Sequence, residues 1–166
     1  LDIYVSVAGK NGSFSNKLLV NQGNNKNGIP LFKEDAENFG IADSGRTEQS
    51  VFFDYDNDGD LDLYVVNYPI TNFKTPVSYY AAAINSPVSE ASSHFYKNNG
   101  DLTFTDVTKE SGLLSFGLSI GISVSDLNND GFKDIYVSND FASPDFIYFN
   151  NGDGTFTEKS KEVTQQ

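Results

Sequence analysis

The stretch Asp54–Asp62 reads DYDNDGDLD, with aspartates at positions 1, 3, 5, 7 and 9 of nine residues and a glycine at position 6. A second stretch of the same kind, Asp126–Asp134, reads DLNNDGFKD. Carboxylates this close together repel one another unless a cation lies among them. Oxygen ligands on a flexible loop favour Ca²⁺, and a glycine at position 6 allows the turn that folds such a loop around an ion. We therefore predict that both stretches are calcium-binding loops.

The two loops are not of the EF-hand type. An EF-hand has a bidentate glutamate at position 12 and leads into a helix. Position 12 is Val65 in the first loop and Val137 in the second. The loops lead into the runs LYVV and IYVS, which are β-branched and aromatic. Such runs predict strands, so each site must be closed from the beginning of a strand by Asp62 or Asp134.

The composition narrows the class of protein. Fourteen Phe and nine Tyr, with no Met, Trp or Cys, indicate a β-rich core. A net charge of −12 argues against nucleic-acid partners, which require a basic surface. No apolar run is long enough to predict a membrane span. One His and one Arg are a thin supply for acid–base chemistry or phosphate binding.

The loops belong to an internal repeat. A glycine lies 14 residues before each loop, at Gly40 and Gly112, and a phenylalanine lies 22 residues before it. After each loop comes an Asn-Asn-Gly phrase, which is typical of a hairpin turn. The opening residues 1–6, LDIYVS, match residues 133–138, KDIYVS. Asp2 therefore corresponds to position 9 of a third, incomplete loop.

Each repeat unit is predicted to contain four antiparallel strands. In the last unit these are about residues 119–126, 134–138, 146–150 and 155–159. Four-stranded units repeating every 60 to 72 residues indicate the blades of an all-β propeller. We assign residues 1–166 to a single propeller segment, with a partial blade at 1–40, a blade with a long insertion at 41–110 and a blade at 111–166.

This blade count implies open edges. About two full blades and three strands of another cannot close a ring. We expect the chain to be part of a larger propeller, whose remaining blades cover those edges. The alternative is that neighbouring subunits cover them.

The motifs resemble FG-GAP/VCBS-type calcium-binding β-propeller repeats. Such repeats occur in integrin α headpieces, cartilage acidic protein and bacterial secreted or surface proteins. The features that match are the two Asp loops, the phrase NNGDGTF ending at Phe156, and Phe116-Gly117 leading into residues 121–123. No Phe-Gly phrase stands at the corresponding place before Asp54. The resemblance covers nearly the whole chain.

The resemblance implies a ligand set for each Ca²⁺. Side chains at positions 1, 3, 5 and 9 would bind the ion, together with the carbonyl of position 7. In the first loop these are Asp54, Asp56, Asp58, Asp60 (carbonyl) and Asp62. In the second loop they are Asp126, Asn128, Asp130, Phe132 (carbonyl) and Asp134. Because Asn128 is neutral where the first loop has Asp56, we expect somewhat weaker binding in the second loop.

Two other features are candidates for function. Residues 67–93 form a connection that is 20 residues longer than its counterpart in the next blade. Its aromatic residues favour a packed excursion or a short helix over disorder, and it is our candidate surface for a partner. His94, with Glu90 four residues before it, is a conceivable catalytic pair, although a structural role is the simpler interpretation.

These observations favour a non-catalytic, calcium-stabilised scaffold or adhesion module. We expect an extracellular, cell-surface or periplasmic location, and a protein or glycan as ligand. The calcium is expected to be structural rather than sensory. One alternative is a propeller-type polysaccharide lyase, whose basic cleft this chain alone could hardly supply. Another is a structural subunit of a large surface assembly.

Overall fold

The computed structural model describes residues 1–9, 15–71, 74–88, 92–140 and 143–164, which form three antiparallel sheets and three short helices. The first sheet contains β1 (Ile3–Val5), β2 (Lys17–Asn24) and β3 (Pro30–Glu34). The second contains β4 (Thr47–Phe53), β5 (Asp62–Asn67), β6 (His94–Asn98) and β7 (Phe104–Asp106). The third contains β8 (Ser119–Ser125), β9 (Asp134–Asn139), β10 (Phe146–Asn150) and β11 (Phe156–Glu158). The all-β prediction is confirmed.

The strands within each sheet follow one another in chain order. Every neighbouring pair is antiparallel, so each sheet is a simple meander. The strands predicted for the last unit agree with β8 to β11 to within a few residues. The two loops lead into β5 and β9, as predicted, and not into helices.

β5 is the central strand of the described fold, and both of its faces are buried. Leu63 and Val65 are fully buried in a cluster with Leu18 of the first sheet. Tyr64 and Val66 are buried in a second cluster with Ile135 of the third sheet. Successive residues of a strand point to opposite faces, so a continuous apolar run suits a strand that lies between two other sheets. Each such side chain stabilises the fold by about 1.5–3 kcal/mol relative to an exposed one.

The repeated glycines lie at equivalent close approaches. Gly40 has a φ of 77°, and a Cβ there would lie 2.9 Å from the carbonyl oxygen of Phe104. Gly112 has a φ of 79°, and a Cβ there would lie 2.8 Å from the carbonyl oxygen of Phe156. Both conditions require glycine. The connection leaving one sheet thus runs against the outer strand of the next.

The described residues also contain three helices: α1 (Ala36–Phe39), α2 (Val77–Asn85) and α3 (Ser160–Thr164). α2 lies in the long insertion and buries none of its residues. Its contact with the fold includes Tyr79, whose ring lies edge-on against Phe116 with centroids 6.0 Å apart. The expected short helix is therefore present, but it is not packed into the core. Among the described helices, none combines the length and the apolar character that crossing a bilayer requires.

Candidate metal centre

The first loop curls around the carboxylate of Asp54. One oxygen of this carboxylate accepts a hydrogen bond from the backbone N–H of Asp58 at 3.2 Å, and the other accepts one from Gly59 at 3.0 Å. The left-handed backbone of Asn57, with φ 60°, and of Gly59, with φ 94°, makes this tight curl. Asparagine and glycine are the residues that tolerate this conformation best.

The curl brings three carboxylates together. One oxygen from each of Asp54, Asp56 and Asp58 lies within 4.8 Å of the others. Ligands on opposite sides of a Ca²⁺ ion, each about 2.4 Å from it, are separated by about that distance. Oδ1 of Asp56 is buried and has no hydrogen-bond partner among the described residues. An unsatisfied buried carboxylate oxygen beside two other carboxylates fits a cation ligand.

Lys97 of β6 contacts the same cluster. Its ammonium group is hydrogen-bonded to Oδ2 of Asp56 and lies 3.8 Å from Oδ2 of Asp58. It also lies 5.4 Å from the centre of the Tyr55 ring. The hydrogen bond to Asp56 raises the pKa of Lys97 above its ordinary value, so this residue is charged. Lys97 was not predicted from the sequence, because it is 41 residues from Asp56 and is replaced by Phe149 in the next unit.

Asp62 closes the first loop from the beginning of β5. It is fully buried, and its two carboxylate oxygens accept hydrogen bonds from the backbone N–H groups of Tyr55 at 3.2 Å and Asn98 at 2.9 Å. Burial raises the pKa of Asp62 to about 6, and the charges of Asp56 and Asp58 add to the rise against the lowering effect of the hydrogen bonds. A cation bound beside this cluster would favour the ionised carboxylate and so lower the pKa of Asp62.

Asp60 is outside the group of three carboxylates. Its backbone N–H donates to Oδ1 of Asp58 at 2.9 Å, while its own Oδ2 lies against Gly100. Asp60 also lines a cavity of about 450 Å³ between the first and second sheets, along with Leu18, Phe52 and Phe104. This placement is compatible with the expected role of the Asp60 carbonyl as a calcium ligand. The Asp60 side chain lies beside Gly100 and the cavity instead of joining the three carboxylates.

The second loop has the same backbone as the first. The carboxylate of Asp126 accepts from Asp130 N at 3.2 Å and from Gly131 N at 3.0 Å, the distances found in the first loop. Asn129 has a φ of 62° and Gly131 a φ of 94°, which also repeat the first loop. Phe132 donates its N–H to Oδ1 of Asp130 at 2.9 Å.

The side chains of the second loop differ at position 3. The amide nitrogen of Asn128 donates to Oδ2 of Asp130 at 2.8 Å, and its oxygen accepts from the N–H of Asp130 at 3.0 Å. An uncharged donor therefore faces the position 5 carboxylate, where the first loop has an aspartate paired with a lysine. Asp134 is fully buried and accepts from Leu127 N at 2.7 Å and Asn150 N at 2.9 Å, as Asp62 does from its own counterparts.

Asp2 occupies the same register in the first sheet. Its carboxylate accepts a hydrogen bond from the N–H of Asn21 at 2.7 Å. Asn98 and Asn150 donate in the same way to Asp62 and Asp134. The structure thus places Asp2 at position 9 of the repeat, as its sequence predicts.

The first loop lies between the second and third sheets. The Tyr55 ring packs edge-on against Phe95 at 5.0 Å and stacks on Phe156 of the third sheet at 6.2 Å. The Tyr55 carbonyl accepts a hydrogen bond from the side chain of Asn150 at 2.8 Å. The Asn57 side chain donates to the carbonyl of Gly131 at 3.3 Å, which links the two loops directly.

The histidine belongs to a buried polar network. The His94 ring contacts Oδ2 of Asp43, which also accepts from the Tyr96 hydroxyl at 2.8 Å, while Oδ1 accepts from Asn67 at 3.1 Å. Burial raises the pKa of Asp43, but the hydrogen bond and charge of His94 outweigh it and hold this pKa below its usual range. Glu90, the other member of the predicted pair, lies outside the described residues. No local pattern indicates the contact of His94 with Asp43, because the two residues are 51 positions apart.

Comparison with known proteins identifies one family. The profile of the FG-GAP-like repeat matches residues 79–137 and 126–165, which together span just over half of the chain. No curated protein matches the chain. A solved structure from Agrocybe aegerita, a lectin described as recognising non-reducing terminal N-acetylglucosamine, aligns with 96% of this chain at 20% identity and a TM-score of 0.45. The chain spans 38% of that lectin's length, and a TM-score this low supports no argument about the present chain.

Proposed function

The chain belongs to the family of FG-GAP-like repeats, and from this premise we propose that it is a non-catalytic, calcium-stabilised β-propeller segment of an extracellular scaffold or adhesion protein. The observation that carries the proposal is the pair of loops with equal backbone geometry. One of them gathers three carboxylates, including a buried oxygen that no described residue hydrogen-bonds. The residues present fit a hard cation with oxygen ligands.

The ligands would be those expected from the sequence. Asp54, Asp56 and Asp58 would hold the first ion, and Asp126, Asn128 and Asp130 the second. The carbonyls of Asp60 and Phe132 would add a ligand to each site, and Asp62 and Asp134 would complete the sites from the strands that they begin. The bound ion would neutralise the carboxylates and so remove the repulsion that opposes the curled loop.

The propeller arrangement is supported by the way the sheets adjoin. The first strands of the second and third sheets lie side by side, and Gln49 of β4 accepts a hydrogen bond from the N–H of Ile122 in β8 at 2.9 Å. Such contacts between first strands are expected around a propeller axis. The blades would then be residues 1–40, 41–110 and 111–166.

On the outward faces of the first and third sheets, large side chains are more exposed than their equivalents in the second sheet. On β1, Ile3 is 44% exposed and Val5 is 37% exposed, whereas the equivalent residues of β5 are fully buried by the first sheet. On β9, Tyr136 is 37% exposed, whereas Tyr64 at its equivalent position is buried by the third sheet. We propose that further blades cover these faces, either from the same polypeptide or from neighbouring subunits.

Two mass measurements test this coverage. A natural polypeptide heavier than the 18.2 kDa of this chain would supply the covering blades itself. Sedimentation of the 166-residue chain as an oligomer would point to neighbouring subunits. A natural polypeptide of 18.2 kDa that sediments as a monomer would contradict the proposal.

The calcium role is tested by thermal unfolding with and without chelator. If Kd is about 10⁻⁴ M, calcium at about 100 times Kd stabilises the folded state by about 2.7 kcal/mol for each occupied site. Two occupied sites should therefore raise the melting temperature by roughly 10 °C or more. The double variant Asp58→Ala with Asp130→Ala should lose most of this gain. The matched control, Glu37→Ala with Glu110→Ala, removes two exposed carboxylates outside the loops and should keep it. An unchanged melting curve after thorough chelation would overturn the metal assignment.

The proposed absence of catalysis has its own test. Among the described residues, His94 contacts the buried Asp43 and lies beside Tyr96, which supports a structural role. Incubation with a panel of acidic polysaccharides should yield no unsaturated products. Their release at a rate that His94→Gln abolishes would favour the lyase alternative.

A further inference from the structure

Lys97, on β6, contacts the acidic side chains of the first loop. Its ammonium nitrogen lies 5.4 Å from the centre of the buried Tyr55 ring, and 36% of its side chain remains exposed. Its ammonium group binds Oδ2 of Asp56, whereas Oδ1 of the same carboxylate is buried and has no hydrogen-bond partner in the part of the chain that the structure describes. Asp56 therefore binds an internal cation through one oxygen, while its other oxygen stays available to a ligand within the acidic cluster.

Beside the second loop, the neutral Phe149 occupies the position equivalent to Lys97. Lys97 pairs with Thr105 in its sheet, and Phe149 pairs with Thr157 in the next. Each also stands one residue before the asparagine that donates to the position 9 aspartate. At ligand position 3, the first loop thus has a carboxylate, Asp56, that binds an ammonium group, whereas the second loop has the neutral Asn128 there and Phe149 at the position of Lys97.

We propose that Lys97 is an internal counter-ion that lowers the affinity of the first loop for divalent cations and stabilises that loop when no cation is bound. The proposal rests on the proposed function, since it concerns the same site. An ammonium group 3.8 Å from Oδ2 of Asp58 offsets the mutual repulsion of the three carboxylates. A divalent cation that enters the cluster meets this fixed positive charge, so part of the attraction of Asp56 is lost.

The charge of Lys97 changes the calcium affinities that we expect of the two loops relative to each other. The carboxylate count alone predicts weaker binding in the second loop. With Lys97 included, part of the additional charge of Asp56 is offset, so the affinities of the two loops should differ less than the carboxylate count predicts. Residue 97 would then set the calcium concentration at which the first loop is occupied.

Calcium titration by calorimetry tests the role of Lys97 in a background where only the first loop binds. That background is Asp130→Ala, and within it Lys97→Met removes the charge while keeping the length of the stem. We expect about tenfold tighter calcium binding, together with a lower melting temperature in chelator. Lys97→Gln, which keeps a hydrogen-bond donor without the charge, should also bind more tightly. Lys109→Met removes an exposed lysine elsewhere and should leave the affinity unchanged.

The outcomes separate the inference from the function that it rests on. If the Asp130→Ala background binds calcium and both Lys97 variants bind it equally or more weakly, the counter-ion role is wrong, and Lys97 would instead position Asp56. If the unaltered chain binds no calcium at either loop, the proposed function fails and this inference fails with it. A lower melting temperature of Lys97→Met in chelator without tighter binding would also overturn the inference.

Discussion

The two Asp loops share a backbone but differ in their surroundings. Tyr55, at position 2 of the first loop, is 5% exposed because it packs between Phe95 and Phe156. Leu127, at position 2 of the second loop, is 50% exposed, and no described sheet covers it. We infer that the nine-residue motif determines the curl of each loop, whereas the neighbouring sheet determines how much that loop contributes to the core.

The largest expected difference between the loops is therefore at position 2. Tyr55→Ala should lower the free energy of unfolding by about 3–5 kcal/mol, because it leaves a cavity between two aromatic rings. Leu127→Ala should change it by less than about 0.5 kcal/mol, since the side chain already contacts solvent. Denaturant unfolding in excess calcium measures both changes. Similar costs at the two positions would mean that another surface covers Leu127.

Substitutions at position 9 should differ from those at position 2, because their cost in unfolding free energy should be nearly equal in the two loops. Asp62→Ala and Asp134→Ala each leave two backbone N–H groups without their acceptor, and each should cost about 2–4 kcal/mol. The costs should persist in chelator, because these hydrogen bonds do not require a metal ion. Asp2→Ala is the matched control, since its exposed hydrogen bond to Asn21 should contribute less than about 1 kcal/mol. Costs at Asp62 and Asp134 that vanish in chelator would show that position 9 acts only through the ion.

Local patterns predicted the three sheets, the two loops and the equivalence of Asp2 to Asp62. Each of these depends on residues close together in the sequence: the alternation of apolar residues, the turn glycines and the spacing of aspartates. The contacts that were missed join residues far apart in the chain. Lys97 reaches Asp56 across 41 residues, and His94 reaches Asp43 across 51. A repeat also hides such contacts, because Lys97 has no charged counterpart in the next unit. The ligand set stays a prediction, since its full test requires an ion.

The pH dependence of the calcium-free protein should identify Asp62. Its pKa is raised to about 6 in the folded protein, so the native state holds a proton that the unfolded chain has already released above about pH 4. In chelator, the free energy of unfolding should therefore fall as the pH rises from about 4 to 6.5, by about 1–2 kcal/mol after allowance for solvent screening. Asp62→Asn should flatten this part of the profile. Stability that rises over the same interval in chelator would show that the two hydrogen bonds outweigh the burial of Asp62.

The smallest expected difference concerns the asparagines at position 4. Asn57 and Asn129 both have a left-handed backbone, with φ of 60° and 62°, and glycine adopts this conformation without strain. Asn129→Gly should therefore change the free energy of unfolding by only a few tenths of a kcal/mol. Asn57→Gly should cost about 0.5 kcal/mol more, because it also removes the exposed hydrogen bond to the Gly131 carbonyl. Urea unfolding of both variants in calcium and in chelator measures this excess. Because the bond joins the two loops, an excess that appears only in calcium would indicate that cation binding in one loop stabilises the other through Asn57, whereas an equal effect of both substitutions would leave the loops independent.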